Sequence, residues 1–239
     1  MILAALSFLL AMTSPDAVLT VLNSRNSVSA QKFAEANETV ARDAKAGKTL
    51  QQFVVGVTTD DKALAEKYLN ASRKKIAALA IEKNNALAWY LLSLERNDLR
   101  CLKKAADGGN VQALNALGTI VAQEAVGRES LSEERRQHLL AQSYGFFRQA
   151  ALKNDPNGYI NVGTCYLRGL GCKQDVARAF VCFKAAAEAG HPEGMDDLSE
   201  SYRLGNGVEP NEELSLQWKM RARAARGDTA AAKWLEARK

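Results

Sequence analysis

The strongest constraint on the fold is that the second half of the chain repeats itself. Residues 158–171 return 36 positions later as 194–207: Tyr166 recurs as Tyr202, Gly169 as Gly205 and Gly171 as Gly207. A period of this size marks stacked supersecondary units, each too small to bury its apolar face alone. The pattern extends outward. Residues 146–158 line up with 182–194, and an older copy runs from Cys101 through Gly109 towards Leu117 and Gly118. Cys101 and Cys182 are equivalent but 81 positions apart, where two periods make 72. The surplus is assigned to the polar stretch Gly127 to Arg136, where a longer connection is expected. Ala80 to Leu92 reads as a degenerate first copy. Gly227 to Leu235 begins another copy and stops, as a cap on an open solenoid face would.

Within one unit the physics is readable. Gly158, Val162, Gly163 and Tyr166 place one apolar stripe with small residues on a helix, and the glycine pair after the tyrosine predicts a turn with positive φ or tight contact. Asp175 and Asn211 are expected to cap a second, alanine-rich helix that ends at Gly190 or Gly227.

These residues resemble the Sel1-like repeat family, α-solenoid relatives of the tetratricopeptide repeat. The resemblance rests on Val162-Gly163, Tyr166, Gly169 and Gly171, and on Leu198, Tyr202, Gly205, Gly207 and Val208 one copy on. The helix ends Lys104 to Gly109 and Ala185 to Gly190 match as well. It spans roughly residues 80–239 and departs from the family pattern in three places. The copy at 86–109 lacks the glycine turn, Ser199 replaces a glycine, and an extra residue enters near Trp218-Lys219. The resemblance implies an all-α fold, a right-handed alpha-alpha superhelix (solenoid) of stacked helical hairpins. The expected domains are 80–239 as repeat array with a C-terminal capping helix, 31–79 as a helical extension, and 1–30 as a signal segment or N-terminal helix.

Upstream, residues 2–12 form an apolar run too short to span a bilayer. They read as the core of a secretory signal, with Ser27 to Ala30 as a cleavage site, or as a first helix covering the array. Export to the periplasm or outside and a cytoplasmic location both stay open. Helices are expected from Ala30 to Ala46 and from Thr58 to Lys83, the second started by Asp60-Asp61.

The net charge of +5 is spread along the chain, and the aromatic residues fall at repeat core positions, so no nucleic-acid surface is expected. Among the four cysteines, Cys165–Cys172 is the most reachable bridge and Cys172–Cys182 the second, with buried free thiols as the alternative. Some secreted members of the resembled family staple each hairpin with cysteines, but at other positions. Two histidines, His138 and His191, lie outside any ligand-spaced cluster, so neither metal nor cofactor is expected. No nucleophile elbow, phosphate loop or zinc-protease motif occurs, and the paired acids near helix starts are favourable there without catalysis. Catalytic residues are therefore not expected.

The sequence points instead to a non-catalytic scaffold that binds a protein or peptide in a concave groove lined by the first helix of each repeat. Positions offset from the core stripe are Asn157, Asn161, Thr164 and Arg168 in one copy and Glu193, Asp197 and Glu200 in the next, with Thr119 earlier. Alternatives are an exported or cell-envelope protein binding a small ligand or glycan, an accessory subunit of an enzyme complex, and an adaptor docking through Gly127 to Arg136. The sequence leaves the oligomeric state open.

Overall fold

A computed structural model describes residues 61–238 together with 52, 53 and 55. The expected signal segment and the helix at Ala30 to Ala46 lie outside the described residues. The described chain is all-α. It falls into two compact units divided between Asn110 and Val111.

The first unit contains α1 (Lys62–Lys83), α2 (Ala86–Arg96) and α3 (Leu99–Asp107), packed in sequence. Asp61 starts α1 by accepting from the Ala63 and Leu64 amides at 3.0 and 3.1 Å. The missing glycine turn is replaced by asparagine. Asn84 and Asn97 take the left-handed conformation at φ 45° and 49°, and Asn85 and Asp98 cap the next helices. Asparagine is the residue after glycine that reaches this region at modest cost.

The second unit holds three antiparallel hairpins and a terminal helix. They are α4 (Val111–Gly127) with α5 (Glu133–Ala151), α6 (Pro156–Arg168) with α7 (Val176–Glu188), α8 (Pro192–Leu204) with α9 (Glu212–Ala225), and α10 (Thr229–Glu236). Each helix packs on the next, and α6 also touches α8. Ala150, Ala186 and Ala222, one period apart, are all fully buried, so the alanine-rich second helices keep one register. A Cβ at Gly118 would lie 2.5 Å from the Phe147 ring, and one at Gly163 would lie 2.6 Å from the Phe183 ring. The same glycine-on-ring contact thus closes two hairpins. In the third, Ser199 takes the glycine's place and donates to the Ser215 carbonyl at 2.8 Å. Trp218 supplies the aromatic packing there. The extra residue, expected near Trp218, enters after Ala222, which still keeps the 36-residue register, and is absorbed as helix: α9 has 14 residues to α7's 13.

The two turn glycines have different tasks. Gly169 ends α6 at φ 71°, and a Cβ there would meet its nearest neighbour at 3.4 Å. Gly171, at φ 69°, lies against the preceding hairpin: a Cβ would be 2.1 Å from the Leu140 carbonyl oxygen. Gly207 repeats this at 2.2 Å from the Val176 carbonyl oxygen, one period on. The glycine-x-glycine turn is therefore both a helix stop and a joint between neighbouring hairpins.

One expectation is corrected. Gly127 to Arg136 is not a longer connection. The link between α4 and α5 has five residues, 128–132, against seven in each later hairpin, 169–175 and 205–211. The inserted length became extra helical turns, giving α4 17 residues and α5 19. Without a glycine turn α4 runs on, Ser132 caps α5, and the Arg136 guanidinium donates to the Ala125 carbonyl at the end of α4.

Candidate functional site

The first helices α4, α6 and α8 carry the polar positions singled out above. Their start residues are repeat-equivalent. Asp155 caps α6 by accepting from the Gly158 amide at 2.8 Å. The same carboxylate accepts from Asn115 of α4 at 2.7 Å, and Asn115 accepts in turn from Asn161 at 3.3 Å. Asn161 is therefore half-buried and already engaged, in a polar chain that ties α4 to α6.

The equivalent cap of α8 is built differently. His191 stands where Asp155 stands and makes no side-chain cap bond. It is 5% exposed, and neither ring nitrogen has a hydrogen-bond partner. Burial lowers its basicity, Glu193 and Asp155 oppose that, and Arg226 adds to it. Asp197, the equivalent of Asn161, is half-buried. Burial first, and then the like charges of Glu193 and Asp196, push its carboxyl up to about 7. Asp196 has a cation of its own, Arg226 at 2.6 Å.

The remaining expected positions divide. Asn157 is half-buried in the first turn of α6, and Arg168 is exposed in its last turn. Half-buried Thr164 donates back to the Ile160 carbonyl at 3.0 Å, a local bond within its helix. Glu193 is exposed, as is Thr119. Glu200 is exposed and paired with Arg203, at 2.9 Å for one of its two contacts. Asn115, Asp155, His191, Asp196 and Arg226 were not anticipated as part of this face. The signal for two of them was available, because Asp155 and His191 share one repeat position.

No bridge joins the cysteines, and all four are free thiols. Cys165, Cys172 and Cys182 share one apolar cluster with Phe147 and Val162. Burial pushes Cys165 up to about 12 and Cys182 to about 11, so they stay protonated and unreactive at neutral pH. Beside them the Tyr144 and Tyr166 hydroxyls meet at 2.9 Å.

The profile of the Sel1 repeat matches residues 99–110, 156–191 and 192–218. The chain carries Sel1 repeats. The last two matches coincide with the hairpins whose turns carry the glycine pair. The hairpin of α4 and α5 falls between matches, yet repeats the Gly163–Phe183 contact as Gly118–Phe147. Among similar proteins, cytochrome c oxidase assembly factor 7A of Xenopus laevis is 27% identical over 124 residues, covering 52% of each chain. DAP3-binding cell death enhancer 1 of Mus musculus is 27% identical over 103 residues, 43% of this chain and 18% of that one. The chain thus spans a fifth to a half of the length of these curated relatives. Among solved structures, a Sel1 repeat protein from Oxalobacter formigenes is 24% identical at TM-score 0.46, covering 53% of this chain and 90% of that one. The protective antigen c5321 of uropathogenic Escherichia coli, which displays an SLR fold, is 18% identical at TM-score 0.39, covering 92% and 55%. Sel1 repeats generally mediate protein–protein interaction. Among the described residues, no helix is long and apolar enough to cross a membrane.

Proposed function

We propose that this protein is a non-catalytic scaffold that binds a protein or peptide partner in a groove lined by α4, α6 and α8. The observation that carries the reading is the division of labour within each hairpin. The second helices spend their alanines and aromatics on the core, while the first helices hold polar side chains at repeating positions off that core. A stacked array uses such a surface to recognise an extended chain. The relatives, an assembly factor and a DAP3-binding protein, are named for acting with other proteins, which favours a protein partner here too.

The test is capture of partners from native extract by the intact chain and by a chain with Asn161, Arg168, Asp197 and Glu200 all changed to Ala. Loss of a partner at unchanged helicity supports the groove; retention of every partner by the quadruple variant overturns it.

A further inference from the structure

We propose that the start of α8 is a seat for a cationic side chain, a lysine or arginine presented by the partner segment, with Asp197 and Glu193 as its counter-charges. The proposal rests on the groove reading and names the partner's chemistry. Two equivalent positions on adjacent helices carry the contrast. Asn161 on α6 is neutral and hydrogen-bonded to Asn115. Asp197 on α8 is a carboxylate, half out of water, and both charges that act on it are negative, from Glu193 and Asp196. A half-buried carboxylate among like charges is costly unless a cation arrives to pair with it. Arg226, which lies close by, is committed to Asp196 at 2.6 Å.

A second feature points the same way. His191 at the start of α8 is buried with both ring nitrogens unpartnered, and the charged groups bearing on it are Glu193, Asp155 and Arg226. In α6 the equivalent residue spends its polar group on the helix cap and on Asn115; in α8 the polar atoms are left over. Unsatisfied buried polar atoms are rare and point to a missing partner. Local charge also runs against the whole. The chain carries +5, while Asp155, Glu193, Asp196 and Asp197 gather here with Arg226. Glu193 and Asp197 are four apart on one helix face, the spacing that lets two carboxylates share one ammonium or guanidinium. Among the described residues, no group of three histidine, cysteine or acidic side chains is placed to hold a metal ion.

The test uses the full chain and fluorescent peptides of alternating Ser-Lys, Ser-Glu or Ser-Gln, read by anisotropy. The Ser-Lys peptide is expected to bind, and Asp197→Asn to weaken it about tenfold, the worth of one charge-assisted contact. Glu134→Gln, an exposed carboxylate on α5, is the control for general attraction. Affinity is expected to rise between pH 6 and 8 as Asp197 ionises beside Glu193 and Asp196; the other titratable or charged groups gathered here are His191, whose basicity burial lowers, Asp155 and Arg226. Equal losses from Asp197→Asn and Glu134→Gln overturn the seat. Binding of Ser-Glu or Ser-Gln in preference, lost in the quadruple alanine variant, overturns the cationic partner and leaves the groove standing. If none of the peptides binds, both fall.

Discussion

Asp197 sets a pH dependence whose sign can be worked out. Its carboxyl is raised in the folded chain to about 7, from an ordinary value of 3.8. Between those values the folded state holds a proton that the unfolded state has released, so stability falls as pH rises from 4 to 7 and stays reduced above. Asparagine keeps the shape and discards the charge. Asp197→Asn is therefore expected to melt at a higher temperature than the parent, by a margin small near pH 4, growing to pH 7 and level beyond. Thermal denaturation of the pair across that range checks it. His191 tilts the parent the other way. Its lowered basicity makes the folded state reject a proton, and stability falls as pH drops below the ordinary histidine value. Both chains share that trend, so it cancels in their difference. The turn glycines give a second residue-scale prediction. Gly169→Ala pays for a left-handed alanine, about 1–2 kcal/mol. Gly171→Ala pays the same and also drives a methyl into the Leu140 carbonyl, so its loss in urea denaturation is expected to be clearly larger.

At the scale of elements, the sequence revealed what the repeat makes periodic. The caps Asp175 and Asn211, the glycine stops and the order of helices all follow from residues that recur at one spacing. Form without periodicity was not legible. The surplus at Gly127 to Arg136 had a visible position, but nothing in its composition separated a long loop from extra helical turns. The difference rests on Arg136 reaching back to the Ala125 carbonyl, a contact between two helices. Arg136→Met is accordingly expected to cost about 1 kcal/mol, with faster amide exchange confined to the last turn of α4 and the first of α5. Exchange raised evenly over the second unit would contradict it. The candidate site was legible in the same partial way. Its positions followed from their offset to the core stripe, which is a matter of helical angle. That Asn161 is hydrogen-bonded while Asp197 stands among like charges depends on Asn115 and on Glu193 and Asp196, and those neighbours come from packing and side-chain direction.

Across the second unit, the core is a chain of small clusters joined by shared side chains. Leu170, the residue between the two turn glycines, packs on the cluster of Ala125, Leu139 and Leu140 and also on that of Phe147, Val162 and Cys165. Tyr166 joins the latter to the cluster of Ala179, Phe183 and Leu198. Stability should then propagate from neighbour to neighbour and fade with distance, as in a one-dimensional array. Phe183 tests this because its ring fills the space over Gly163. Phe183→Ala is expected to cost about 3–5 kcal/mol. Within the second unit, hydrogen exchange should quicken most in α6 to α9 and less in α4 and α5. Equal acceleration in α4 to α9 would mean the second unit unfolds as one cooperative body, and the nearest-neighbour description would fail.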